Sequence, residues 1–313
     1  MTAYIIRRLL ATIPVMIVVA LFVFLLLHLT PGDPAAIIAG DEASPSDIEA
    51  VRRTLGLDRP IWEQFGIYVT NLLSGDLGTS IFTSLPVLTL VKQRLEPTVV
   101  LAVSTLVVAV TLAVPLGVVA AWKARTLLDR MVMGFSVLGF ALPVFLIGYL
   151  LIYVFAIELR WLPVQGYRPL ADGIAGTARS VALPALALGM VYMALIARIT
   201  RASMLEVLSE DYIRTARAKG VGTSSVLLRH ALKNAAVPIV TVIGIGLAAL
   251  ISGVVLTETV FNIPGLGRLT VDAILKRDYP IIQGLIILFA GTKVLVNLLI
   301  DISYTFFDPR IRY

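Results

Sequence analysis

The sequence predicts an all-α integral membrane protein with six transmembrane helices. Three observations carry that expectation. Apolar residues are 58% of the chain, charged residues 15%, and mean hydropathy is +0.92; soluble domains run at about 45–50% and about 25%. Six runs of roughly twenty residues carry almost no charge, enough at about 1.5 Å per residue to cross a core of about 30 Å. The basic residues also crowd into alternate loops. There is no cysteine, which removes disulfides, thiolate metal sites and cysteine nucleophiles together.

The first run, Leu9–Leu29, follows Arg7 and Arg8. A cleaved signal peptide would have a shorter apolar core, about 7–15 residues, with a small-residue cleavage site after it. This run is longer and leads into Thr30-Pro-Gly-Asp-Pro34, so it reads as a retained anchor, with Pro14 placed to kink it. The stretch 30–96 is polar. Within it Ser46-Asp-Ile-Glu49 has the spacing of a capping box, and Ile48, Val51 and Leu55 share a helical face before Gly56. Pro60 opens a second segment whose Ile61, Phe65, Tyr68 and Leu72 share a face, closed by Gly75. Two short amphipathic helices capping the outer membrane surface are expected. The remaining spans are 97–122, 131–157 with Pro143 inside, 181–197, 235–257 and 281–302. Trp161 falls at an expected interface, and 308–313 is a polar tail.

Six spans put both termini on one side. The termini and the loops on their side hold 14 bases and 6 acids, a net of +8; the other side holds 11 bases and 14 acids, a net of −3; Lys293, inside the last span, completes the total of +6. Positive loops face the cytoplasm, so 209–238 is expected inside and 30–96 outside.

The segment 209–238 is the longest polar stretch on the positive side. Tyr212, Ile213, Ala216 and Arg217 keep helical spacing, and Gly220-Val-Gly222 breaks the helix because glycine tolerates left-handed angles. Thr223 or Ser224 is placed to cap a second helix, 226–233. A polar helix–turn–helix pinned to a membrane surface by apolar flanks suits docking to something in the water phase. An ordinary basic loop is the plainer alternative.

Chemistry-bearing motifs are sparse. The phosphate-cradling GxxxxGK[ST] loop is absent, as are HExxH and GxSxG. His28 and His230 stand alone, without a second histidine at ligand spacing. Lys293 is the one full charge well inside a span; its position about two turns from the inner end suits snorkelling, with Asn297 one turn on. No carboxylate pair of the kind that couples ions to transport stands in the spans. Energy for any transport must therefore come from a separate motor.

These residues resemble a family. Thr215-Ala-Arg-Ala-Lys-Gly220, between the fourth and fifth spans, looks like the EAA loop of ABC importer permeases. Pro31-Gly-Asp-Pro34, Gly75-Asp-Leu-Gly78, the stretch from Glu258 to Gly267, and Asp308-Pro-Arg310 are similar to the dipeptide, oligopeptide and nickel importer permeases. Arg214-Thr215-Ala216 stands where Glu-Ala-Ala is usual, a departure typical of the peptide subgroup. The resemblance covers nearly the whole chain. It implies the type I permease bundle of ABC importers: an anchor and extracytoplasmic region over 1–93, a transport domain over 94–303 and a cytoplasmic tail over 304–313. It implies ATPase coupling through Tyr212, Arg214, Thr215, Ala216, Arg217, Ala218, Lys219 and Gly220. It implies a homologous second permease, two cytoplasmic ATP-binding subunits, an extracytoplasmic solute-binding protein and a bacterial cytoplasmic membrane around the chain. No cofactor is expected on this chain, with ATP and Mg held by the partners, and no nucleic acid. Short peptides are the implied solute. Nickel and glutathione importers are the alternatives, with a scaffold or an intramembrane enzyme further off.

Overall fold

The computed structural model describes residues 2–29, 33–39, 43–54 and 56–307. The structure is helical, with no strand among the described residues and an isolated bridge between Thr79 and Pro86. Four helices are long and apolar enough to cross a membrane, within Leu9–Leu29, Val87–Trp122, Ile174–Leu208 and Tyr279–Ile302. Two bent pairs raise that to six when each counts as one span: Leu127–Ala141 with Val144–Glu158, and Thr223–Asn234 with Ala236–Ile251. The six expected spans correspond to these four helices and, where each bent pair counts as one span, the two pairs. The described residues fall into two compact units, one of Leu95–Arg268 with the stretches before Ile6 and from Lys293 onward, the other of Ile6–Arg94 with Leu269–Thr292.

The elements in chain order are α1 (Thr2–Leu29), α2 (Pro34–Ala39), α3 (Pro45–Thr54), α4 (Ile61–Leu73), α5 (Val87–Trp122), α6 (Leu127–Ala141), α7 (Val144–Leu151), α8 (Ile174–Leu208) and α9 (Asp211–Ala218). After them come α10 (Ala236–Gly253), α11 (Val255–Val260), α12 (Leu266–Lys276) and α13 (Tyr279–Phe307). Helices outlast their apolar runs. The second span starts at Val87, ten residues before the expected Pro97, because Pro86 accepts the first amides of the helix, from Thr89 and Leu90. The fourth, expected to stop at 197, continues through Arg198 and Arg201 to Leu208, since arginine, leucine and glutamate keep helix propensity after the lipid-facing run ends.

The third span is not continuous. Proline lacks an amide hydrogen and drives the residue before it out of the helical region. Leu142 accordingly sits at φ −86°, ψ 132°, and the axes on either side of Pro143 differ by 105°. A π-helical turn, Ile152–Glu158, follows α7. The fifth span ends in two pieces, α10 and α11, on either side of Val254.

In the first unit the core runs along α8. Leu183, Ala187 and Leu188 pack with Leu101 of α5, Ile147 of α7, Leu250 of α10, and Phe261 and Ile263 beyond α11. Farther on, Met193, Ile196 and Ala197 meet Ala109 and Ala113 of α5. Lipid offers no hydrophobic drive between helices, so close backbone approach must supply the attraction. Gly117 makes that approach: a Cβ there would lie 2.6 Å from Thr200 Cβ and 2.7 Å from the Ala197 carbonyl oxygen.

In the second unit α4 lies on α1. Phe24 stacks edge-on to Phe65 at 5.3 Å between centroids and tilts over Tyr68 at 5.7 Å, while His28 Nε2 and Gln64 Oε1 are 3.1 Å apart. Of the expected apolar face, Phe65, Tyr68 and Leu72 are part-buried and Ile61 is exposed. Burial without a hydrogen bond pushes the Tyr68 phenol up to about 12. The expected capping box at Ser46 and Glu49 is corrected. Ser44 is the cap: its Oγ accepts from the Asp47 amide at 3.3 Å, and Asp47 Oδ2 accepts from the Ser44 amide at 3.0 Å. Pro45 takes the first helical position, where its missing amide costs nothing; Glu49 pairs instead with Arg52 and Arg53. Leu55, assigned to the same helical face, lies outside the described residues. The Gly75–Gly78 turn leads to Ser80, whose hydroxyl donates to buried Asp278 at 2.6 Å. Asp33 Oδ1 caps α2 through the Ala35 amide at 3.0 Å; Pro31, Gly32 and 308–313, parts of two resemblance motifs, lie outside the described residues.

Candidate functional site

α9 is an eight-residue helix standing at the end of the 35-residue α8. One of its side chains is driven inward and the rest are polar or small. Ile213 is the only branched aliphatic between Ser209 and Gly220, and it is 0% exposed. It belongs to one buried cluster with Met204 of α8, Val118 and Ala121 of α5, and Val226, Leu227, Ala231, Ala235 and Ile239. Burying an isoleucine is worth about 1.5–3 kcal/mol, so this contact fixes the helix to the first unit.

The predicted site residues distribute around that anchor. Arg214, Thr215, Arg217, Ala218 and Lys219 are exposed, and Ala216 is half-buried. At 3.6 residues per turn, Thr215 and Ala218 lie opposite Ile213, so the outermost face is theirs together with Asp211. Tyr212 is exposed, with its Oη accepting from Asn234 Nδ2 at 3.0 Å; the same nitrogen is 2.7 Å from the His230 carbonyl. Arg214 Nη1 donates to Asp211 Oδ1 at 3.0 Å, an exposed pair worth a few tenths of a kcal/mol. The helix ends as the sequence implies. Gly220 has φ +79°, its amide donates to the Arg217 carbonyl at 3.0 Å, and the Val221 amide donates to the Ala216 carbonyl at 3.1 Å. Those two bonds are a Schellman motif, in which glycine takes the left-handed position.

The second helix of the segment runs as Thr223–Ser225, a π turn Val226–Ala231 and Leu232–Asn234. The cap assignment is corrected: Gly222 is the N-cap residue, and neither Thr223 nor Ser224 caps the helix with its side chain. The widened turn carries Val226, Leu227 and Ala231 inward, into the buried cluster that holds Ile213.

Two buried carboxylates brace the same unit. Asp129, 4% exposed, receives Arg201 Nε on Oδ1 at 2.5 Å and Nη2 on Oδ2 at 2.8 Å, and the Arg125 amide on Oδ2 at 2.8 Å. This fork ties the start of α6 to α8 about two turns before the end of α8. Glu258 is 0% exposed. Thr98 Oγ1 donates to its Oε1 at 2.6 Å and the Arg268 amide to its Oε2 at 2.9 Å, while the Leu266 amide donates to Thr98 Oγ1 at 2.8 Å. A Cβ on Gly265 would lie 2.0 Å from Glu258 Oε1. The Glu258–Gly267 motif is therefore a loop folded around a carboxylate, with glycine leaving the room. The sequence marks Glu258 as the start of a motif but shows neither pairing: Asp129 and Arg201 are 72 residues apart, Thr98 and Glu258 160.

Lys293 is exposed on α13 and makes no hydrogen bond to Asn297. Among the described residues no group of three metal-ligating side chains exists.

Residues 113–313 match the family model described as "Binding-protein-dependent transport system inner membrane component", and 1–113 match the model of its N-terminal part. The chain is 56% identical, over the full length of both, to a probable peptide ABC transporter permease protein, y4tP, of Sinorhizobium fredii. It is 46% and 45% identical, again over both full lengths, to the glutathione transport system permease protein GsiC of Escherichia coli strains CFT073 and K12.

Proposed function

The chain belongs to the binding-protein-dependent transport system inner membrane components, and from that premise we propose that it conducts short peptides inward. It is a multi-pass permease subunit of an ABC importer. The relatives named for peptide and for glutathione support the solute class, since glutathione is itself a tripeptide. The observation that carries the mechanism is α9, an exposed helix fixed to the bundle through Ile213. In this reading α9 seats on a cytoplasmic ATP-binding subunit. Thr215 and Ala218 meet the motor, and Arg214 and Arg217 meet its acidic groups. ATP binding closes the motor pair and pulls α9; Ile213 passes the pull to α5, α8 and 226–239, and the bundle switches between inward-open and outward-open. A second permease completes the path and a solute-binding protein delivers peptide from outside. The termini lie in the cytoplasm, with 94–303 the transport domain.

The test is uptake by vesicles holding the chain with its partner subunits and receptor. ATP-dependent entry of labelled di- and tripeptides or glutathione is expected. A complex that hydrolyses ATP yet imports none of a peptide panel, and imports nickel instead, would overturn the peptide reading.

A further inference from the structure

The start of α8 and the loop before it enclose a polar pocket of about 550 Å³. Three guanidinium groups line it, those of Arg160, Arg168 and Arg179, and none pairs with a carboxylate among the described residues. Arg179 spends one donor, from Nη2, on the Trp161 carbonyl at 3.0 Å, of the five each guanidinium carries. Glu96 is engaged by the pocket wall rather than by the guanidinium groups: the hydroxyl of Tyr167, a lining residue, and the Leu170 amide both donate to its Oε1 at 2.8 Å. The wall is held in place before any ligand arrives. The Gly166 amide donates to the Phe261 carbonyl at 2.9 Å, Gln165 Nε2 to the Val260 carbonyl at 3.3 Å, and the Arg168 amide to Ser180 Oγ at 3.3 Å. Such pre-organisation lowers the ordering cost of binding.

Location narrows the ligand. Arg179 stands near the start of α8 and α9 follows its end. The 29 residue-to-residue rises from Arg179 to Leu208 span about 44 Å at about 1.5 Å each, more than a membrane core of about 30 Å. The pocket and α9 therefore face opposite sides of the membrane. With α9 on the motor side, a step that rests on the function proposed above, the pocket opens where solute arrives. Its volume is that of a small-molecule site. Its charge calls for an anion with planar, paired oxygens, which guanidinium binds in a fork. Exposed Trp161 and half-buried Tyr167 add ring faces for an apolar neighbour of that anion.

We propose that this pocket receives the free carboxylate of an incoming short peptide, held by Arg160, Arg168 and Arg179. The test uses the chain with its partner permease and ATP-binding subunits in nanodiscs of zwitterionic lipid, without the receptor. Equilibrium dialysis compares trialanine with trialanine amide. Trialanine is expected to bind about tenfold tighter, and Arg160→Gln with Arg168→Gln to erase that preference; the thermal midpoint of the variant checks its fold. Equal binding of acid and amide, or an unchanged preference in the variant, overturns the pocket. So does an effect of the substitutions that is confined to retention of anionic lipid, in nanodiscs containing phosphatidylglycerol. Peptide uptake with receptor is measured in parallel. Uptake without acid preference removes the pocket alone; no uptake of any peptide removes the transport reading beneath it.

Discussion

Gly220 and Gly265 are both glycines for reasons of space or angle, and they predict different failures. No atom lies within 4 Å of a Cβ added at Gly220, but its φ is +79°. The cost of a side chain there is in the backbone, about 1–2 kcal/mol for an ordinary L-residue. Gly220→Val should therefore leave the chain inserted, abolish ATP-driven uptake and weaken co-purification with the ATP-binding subunits. Gly220→Asn should keep most activity, because asparagine tolerates the left-handed region. Equal uptake by the valine and asparagine variants would remove the capping argument. At Gly265 the obstacle is the Glu258 carboxylate, 2.0 Å from the added carbon. Gly265→Ala should lower the thermal midpoint, and so should Glu258→Gln. An amide nitrogen in place of either oxygen meets a donor, from Thr98 or from the Arg268 amide, at about 1–3 kcal/mol. Unchanged midpoints in both would show that the loop does not depend on the carboxylate.

Among the elements, α9 and the α6–α8 clamp carry distinct loads. Ile213→Ala removes the one buried anchor of α9, at about 2–5 kcal/mol. The helix should loosen without the spans unfolding. Protease cleavage near Gly220 should rise and uptake should fall while membrane content stays normal; wild-type cleavage and uptake together would count against the anchor. Asp129→Asn leaves Arg201 without its forked partner, a loss of about 3–5 kcal/mol for a fully buried pair and less here, where Arg201 is 25% exposed. Asp129→Ala with Arg201→Met should recover part of that loss in thermal unfolding, since two apolar groups leave no uncompensated charge. A double variant no better than the single one would deny the coupling. The sequence marks Ile213 openly, as a lone aliphatic in a polar helix. It gives no sign of the clamp, because pairing across 72 residues has no period.

At the scale of the molecule, side of membrane is the property to check. With no native cysteine, single cysteines report it directly. Ser46→Cys and Ser224→Cys both sit at exposed positions. The first should react with a membrane-impermeant thiol reagent added outside intact cells and the second only after permeabilisation. The reverse pattern would invert the orientation and the roles assigned to α9 and the arginine pocket.

Composition and periodicity alone determined that the chain is helical, that it crosses a membrane about six times, and that a short polar helix closed by Gly220 lies between the fourth and fifth spans. Those properties follow from local forces: transfer of apolar runs into lipid, backbone bonding within a helix, and the angles glycine accepts. Only the tertiary structure decided that α8 outlasts its apolar run by about a dozen residues, that the third span turns by 105° at Pro143, and that Asp129, Glu258 and Asp278 are buried with partners. A charge reads as surface in a sequence. It can be buried only when donors from distant segments converge on it, and that convergence exists only after the helices have packed.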